Sequence, residues 1–425
     1  MPAATTTAPP ESRARELLAD AFAGTPGRMR LLGALAVAAC VAFGGLAFLL
    51  GTNLDRALGA SRAHAAQLVR IQTIRTSLVK ADANATNAFL VGGLEPTDVR
   101  TGYADGIQTA AATLAEASGA DTNDAHALQT VNETLASYAG MVEAARANNR
   151  QGFPIGAAYL RAASRLIQSD ALPPLEQLVN EERSRVDSSS NAATDAQREL
   201  VALLVLVVAS LAVTQVWLFA KTRRVLNPPL VAATAMVLVA GAAGLGVVAW
   251  SRGKASDARR GPYTETVALA TARIDGFDAK SAESLTLIAH GSGQAYEDRF
   301  KSVSLGATRA LSPAGVSEFG KPEADARGAL AVYVNAHTRV RAADDRGDYD
   351  GAVRSATGTG EANRAFGVFE TTSRQALALR SAQASDDLAH ARSPLLAISW
   401  LMLVVGLVAA FAARRGVAQR LREYR

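Results

Sequence analysis

Four stretches of this 425-residue chain, 31–51, 200–220, 230–250 and 394–413, carry no charged residue. Each reaches the roughly 20 helical residues needed to cross a hydrocarbon layer about 30 Å thick. The first resembles the core of a secretory signal, yet it stays apolar from Leu31 to Leu54 and offers no compelling small-residue cleavage site, so it is expected to be retained. These four runs predict an all-α membrane protein with four transmembrane helices.

Orientation follows from the basic residues in the short flanks. Arg13, Arg15, Arg28 and Arg30 precede span one, Lys221, Arg223 and Arg224 lie between spans two and three, and Arg414, Arg415, Arg420, Arg422 and Arg425 follow span four. Both termini are therefore placed in the cytoplasm of a bacterial cell, with the chain in the plasma membrane. Arg252, Lys254, Arg259 and Arg260 fall on the outer side and count against this scheme, but long translocated segments override local charge. The formal charge of +5 is explained by these flanks, and no nucleic-acid partner is implied. The one cysteine, Cys40, lies inside an apolar run, which leaves neither a disulfide framework nor a thiolate metal site.

Two exported blocks remain, 52–199 and 251–393, each bounded by a pair of spans. Their near-equal length prompts a comparison for repeats. Leu128, Val131, Leu135, Tyr138, Val142, Ala145 and Asn149 step by three and four residues, as on a helix seam. Ala326, Leu330, Tyr333, His337, Val340 and Asp344 step alike in the second block. Each seam then breaks at a polar Arg-Gly turn, ANNRQGFPIGAA in one copy and ADDRGDYDGAV in the other. The first helices repeat too, with Ile71, Ile74, Leu78, Ala81, Ala85 and Ala88 matching Val267, Ala270, Ile274, Phe277, Ser281, Leu285 and Ile288.

No sustained strand pattern occurs, so each block reads as an antiparallel four-helix bundle. The expected helices are 52–91, 98–118, 124–149 and 153–199, then 251–290, 292–311, 323–345 and 349–393. The outer helices of each block are expected to run into the spans. A forty-residue helix reaches about 60 Å, which places two glycine-rich turns together at the far tip of each bundle. The implied domain order is a cytoplasmic arm (1–30), span one (31–51), bundle one (52–199), span two (200–220), a cytoplasmic loop (221–229), span three (230–250), bundle two (251–393), span four (394–413) and a cytoplasmic tail (414–425).

This layout resembles the four-helix-bundle ligand-binding modules of bacterial chemoreceptors and sensor kinases, and DRGDYDGAV (345–353) is similar to their third-to-fourth helix turn. ATNAFLVGGLEP (85–96) and ARANNRQGFPIGAAYLR (145–161) resemble an actinobacterial four-pass family that links an amino-acid-binding lipoprotein to the soluble protein kinase G. That resemblance implies tandem sensor bundles, a loaded binding lipoprotein as the external partner, and a cytosolic Ser/Thr kinase as the effector.

The residues themselves offer little chemistry. No phosphate-cradling Gly loop or HExxH motif occurs, and the five histidines lack ligand spacing, so no catalytic residue, metal site or cofactor is expected. The spans carry no charge, and Thr214 and Gln215 are their most polar members, unlike a transport pathway. His337 on its seam reads as a satisfied core histidine before it reads as a pH or ligand sensor. Lys80, Asp82, Asn84 and Asn87 form either a polar pocket or, more commonly for such a run, a solvated helix face. Glu11–Ala23 is either a short amphipathic helix or an arm on anionic lipid.

The tip turns are the expected contact surface for a ligand or an extracytoplasmic binding protein. They comprise Gly92, Gly93, Glu95 and Arg100, then Asn149, Arg150 and Phe153, and in the second copy His290, Asp345, Arg346 and Tyr349. Lys221, Arg223, Arg224, Arg414 and Arg415 are the expected inner relay to a separate signalling protein. Two exported modules and four spans on one chain equal a chemoreceptor dimer, so a monomer acting as a pseudo-dimer is expected. A structural envelope scaffold and an accessory transporter subunit stand as alternatives to a sensor.

Overall fold

The computed structural model describes residues 24–91, 95–152, 154–222, 227–312 and 320–422, and among them every regular element is a helix. In chain order these are α1 (Gly24–Val91), α2 (Thr97–Ala120), α3 (Ala125–Arg150), α4 (Ile155–Leu166), a π turn (Ile167–Ala171) and α5 (Leu172–Thr222). There follow α6 (Pro228–Ala258), a second π turn (Arg259–Tyr263), α7 (Thr264–Ile288), α8 (Gln294–Ala310), α9 (Lys321–Asp345), α10 (Tyr349–Ala356), α11 (Glu361–Arg392) and α12 (Leu395–Arg422). The protein is all-α, with four helices long and apolar enough to cross a membrane. The amphipathic segment expected at Glu11–Ala23 lies outside the described residues.

The chain divides into two compact units. One consists of the residues up to 60, 188–255 and those from 389 onward, and contains the four apolar windows. Its interior is built from Ala36, Cys40, Phe43 and Ala47 of α1, Val207 and Leu211 of α5, Ala233 and Val237 of α6, and Met402 and Ala409 of α12. Large apolar side chains such as Val205, Val216, Val239, Val404 and Phe411 point outward, as a lipid-facing surface requires. Polar members of the windows are satisfied locally. Gln215 donates to Thr234 Oγ1 at 2.6 Å, and Thr214 donates to the Ser210 carbonyl at 2.9 Å.

Gly44 and Gly406 let α1 and α12 touch backbone to backbone, because a Cβ on Gly406 would lie 2.5 Å from the Gly44 Cα. Small residues at such crossings take the place of a hydrophobic driving force that lipid cannot supply. Gly406→Leu is expected to wedge these helices apart and destabilise the protein by about 1–3 kcal/mol. An unchanged thermal midpoint of the purified variant in detergent would contradict that packing.

The other unit comprises residues 61–187 and 256–388. Both seam patterns are buried: Leu128, Val131, Leu135, Tyr138, Val142 and Ala145 along α3, and Ala326, Leu330, Tyr333, His337 and Val340 along α9. Asn149 and Asp344, which close the two patterns, are half-buried. The Arg-Gly turns form as the pattern implies, with Gly152 and Gly347 at φ of 71° and 82°, a left-handed backbone that glycine adopts without a Cβ penalty. Asp348 then caps α10 by accepting a hydrogen bond from the Gly351 amide at 2.9 Å.

Core residues of both sequence blocks belong to a single hydrophobic cluster. The reason is visible in α7, which is buried on nearly every side although it carries Arg273, Asp278, Lys280 and Glu283. A helix enclosed all round needs neighbours on every face, and one block alone does not supply them.

Two breaks depart from the sequence reading. The expected fourth helix at 349–393 is interrupted at residues 357–360, where Gly358 takes a φ of 51° and a Cβ on Gly360 would collide with the Arg354 and Ser355 carbonyls. The expected unbroken passage from this helix into span four is also interrupted at Ser393 and Pro394. Proline lacks the amide donor and disfavours helical geometry at the residue before it.

Candidate functional site

Asp82 of α1 occupies the centre of the second unit and is 1% exposed. One carboxylate oxygen accepts hydrogen bonds from Ser164 Oγ of α4 at 2.7 Å and from the Tyr138 hydroxyl of α3 at 3.4 Å. The other oxygen accepts from Ser281 Oγ of α7 at 2.6 Å. Three hydroxyls from three helices, one of them in the other sequence block, therefore hold a single carboxylate. Burial pushes its pKa up to about 6 despite these donors, and the nearby Asp278 adds to the rise. Asp275 is pushed up to about 7, again by burial first and then by Asp278.

The neighbours of Asp82 also face the other block. Lys80 pairs with Glu370 of α11 at 2.9 Å, and Asn87 donates to Asn363 at 3.3 Å. Asn84 turns to the Lys80 carbonyl at 2.9 Å, beside Gly102 of α2. This set is buried or half-buried, so the solvated-face reading of Lys80, Asp82, Asn84 and Asn87 is corrected. Gln168, in the π turn ahead of Pro173 and Pro174, donates to Asp278 at 3.2 Å, and Arg299 donates to the same carboxylate at 2.6 and 2.8 Å. The signal for this seam was present in the sequence. Its charged residues are interleaved with Ala and Ser, as in KADANA (80–85) and DAKSAES (278–284), instead of with the long polar side chains of a solvated face.

His337 is a satisfied core histidine, as the bland reading held. Its Nδ1 lies 2.8 Å from Glu283, its Nε2 lies 3.1 Å from Glu297, and its ring stacks on Phe300 at 3.4 Å. Burial opposes the imidazolium, but the two carboxylates raise its pKa, while Lys280 at 2.7 Å from Glu283 helps hold that carboxylate below its usual range.

His64, Asp121 and Glu182 bring ligand-type atoms within 4.8 Å of one another. Arg185 already pairs with Asp121 at 3.0 Å, with Asp124 at 3.3 Å and with Glu182, so a metal cation would have to displace a guanidinium. The cluster reads as an ion-pair knot.

Among the described residues, expected site residues from both blocks converge around one cavity. Asn149, His290 and Tyr349 line a cavity of about 610 Å³ together with Phe89, Pro154 and Arg161. His290 is held at φ 41°, uncommon for a residue other than glycine, with its ring 4.5 Å from that of Tyr349. Asn149 donates to the Phe89 carbonyl at 3.3 Å. Glu95 lies off the cavity, pairing at 2.8 Å with Arg146, whose guanidinium stacks over Tyr103. Asp345 pairs with Arg341 at 2.7 Å. Arg100, Arg150 and Arg346 are exposed, and their side chains have no ion-pair partner among the described residues. Gly92, Gly93, Phe153, Arg223 and Arg224 lie outside the described residues. Lys221 falls within α5, and Arg414 and Arg415 are exposed on α12.

Residues 57–191 match the family model of the actinobacterial sensor domain. The match covers α1 beyond its apolar window, all of α2 to α4 and the first part of α5. No curated protein and no solved structure matches the chain. Together the sensor-domain match and the four apolar helices support a membrane sensor.

Two outcomes follow from the buried network. Because the folded pKa of Asp82 is raised above its unfolded value, its contribution to stability is full near pH 4 and is lost as pH rises through about 6. The melting temperature of the native protein relative to Asp82→Asn should therefore fall between these pH values, and a constant difference would refute the assignment. His337→Ala removes one hydrogen-bond partner from each of Glu283 and Glu297, which keep Lys280 and Lys301, and empties the space beside Phe300, so it should cost about 2–4 kcal/mol in denaturant unfolding.

Proposed function

We propose that this chain is a transmembrane signal transducer of the bacterial plasma membrane. It detects an extracytoplasmic stimulus at the tip and relays it to a separate cytosolic effector such as a Ser/Thr kinase. The observation that carries this reading is the tip cavity, where Asn149 of one block meets His290 and Tyr349 of the other, in a chain whose residues 57–191 match a sensor domain. A partner seated there would touch both blocks at once and so respond to how they pack. An amino-acid-loaded binding lipoprotein docking over this half-polar cavity is the partner that the reading favours.

Signalling requires that the stimulus bind two packings with different affinity. A displacement of about 1–2 Å is the scale on which helices shift in such transitions. α1 and α5 are each a single helix that contributes residues to both units, which suits them to carry it. On the inner side the basic residues Lys221, Arg223, Arg224, Arg414 and Arg415 supply a charged contact for the effector, and both termini are cytoplasmic in this scheme. The shared core of the two blocks supports a monomer that acts as a pseudo-dimer.

Changing His290 and Tyr349 together to Ala tests the proposal in cells, with effector phosphorylation as the readout. Loss of the stimulus response by about tenfold, with unchanged membrane abundance, is the expected result. A full response would remove the tip from the mechanism. Membrane-impermeant labelling of cysteines placed at Arg150 and Arg414 should mark only the first from outside, and the reverse pattern would overturn the topology.

A further inference from the structure

A second cavity, separate from the tip, lies within the same unit between α1, α2, α7 and α11. Its volume is about 260 Å³, just below the range of about 300–1,000 Å³ typical of drug-sized ligand sites, so its occupant has to be small. Leu68, Val69, Ala270 and Leu377 give it apolar walls drawn from both sequence blocks. Gly106 lets α2 approach closely there, since a Cβ would lie 3.0 Å from the Ser77 carbonyl.

Gln72 is the unexplained member of this wall. It is 4% exposed, and neither its amide nitrogen nor its amide oxygen has a hydrogen-bond partner. Buried side-chain amides are rarely left unpaired at both ends, because each orphaned group forfeits its hydration with nothing in return. The neighbouring helix hydroxyls do not relieve it. Thr73 and Thr76 donate to the Val69 and Gln72 carbonyls at 2.8 Å each.

Charge supplies the second, independent pointer. Lys80, Arg273 and Arg374 line the cavity against one acid, Asp105. Lys80 is paired with Glu370 at 2.9 Å. Arg273 is 5% exposed and donates only to the Glu370 carbonyl at 2.8 Å and to Ser373 Oγ at 2.9 Å, with no carboxylate in hydrogen-bond contact. Burial lowers its pKa to about 10, a fall that the nearby Glu370 carboxylate only partly offsets and to which Arg374 adds. Arg374 is exposed, and its side chain has no ion-pair partner among the described residues.

We propose that this cavity binds a small organic monocarboxylate with an apolar body. The carboxylate answers the two under-compensated guanidiniums of Arg273 and Arg374 and accepts from the Gln72 amide, while the body packs on Leu68, Val69 and Leu377. A second negative group is disfavoured by Asp105 and by the adjacent Glu370. The inference goes beyond the tip reading and does not depend on it, because the two cavities share no lining residue.

The test is calorimetric titration of the full-length protein in lipid nanodiscs with hexanoate and benzoate, set against the neutral hexanamide and benzamide. At least one acid should bind saturably, its amide should bind about tenfold more weakly, and Arg374→Ala should weaken the acid by a similar factor. Arg374 is exposed, so this variant keeps the fold. Gln72→Met, similar in length and free of the orphaned amide, should also weaken the acid, and it should raise the melting temperature in the absence of ligand. No saturable binding of either acid up to about 10 mM, amides that bind as well as acids, or an Arg374→Ala protein that binds like the native one would each overturn the proposal.

Discussion

The buried carboxylate of Asp82 sets the register of the unit formed by residues 61–187 and 256–388. An ionised group in an apolar interior is costly unless donors surround it, and here the donors come from α3, α4 and α7. Moving any one of these helices by a turn would leave the carboxylate with an empty site. Lys80 with Glu370, Asn87 with Asn363, and Gln168 with Asp278 and Arg299 then fall into place along the same seam, because each lies within a turn or two of a residue that Asp82 holds. Polar contacts of this kind contribute less to net stability than to the choice of one packing among several.

That choice has consequences at both ends of the seam. At one end it brings the turns after α3 and α7 and the start of α10 around one cavity, which both blocks line. Farther along α1 it leaves a smaller cavity beside Gln72, again walled by both blocks. A receptor made of two identical chains obtains such shared cavities by dimerising. Here one chain supplies both blocks, so their adjacency carries no concentration dependence. The two seams differ in one respect: α9 buries His337, whereas the buried seam of α3 contains no histidine.

Much of the helical architecture was legible in the primary structure because its causes are local. Charge-free runs longer than a bilayer's thickness demand helices. The seam steps of three and four residues put Tyr138 and Tyr333 inside, and an Arg-Gly pair ends each seam through a positive φ. Less visible were the breaks at residues 357–360 and at Ser393 and Pro394, where short glycine and proline signals were outweighed by the periodicity on either side. The candidate site was only partly legible. Asn149, Pro154, His290 and Tyr349 belong to turns that the sequence marks, but Phe89 and Arg161 join them only through the packing of distant helices.

The sequence by itself determined that the chain is helical, that four of its segments suit a membrane, and which face of α3 and of α9 is apolar, since periodicity and hydropathy are properties of neighbouring residues. Only the tertiary structure decided what covers Lys80, Asp82, Asn87 and Asp278, because Ala and Ser neighbours mark such a helix face as closely packed but do not say against what. What covers it depends on pairings across intervals such as the 199 residues between Asp82 and Ser281, and no local pattern encodes those.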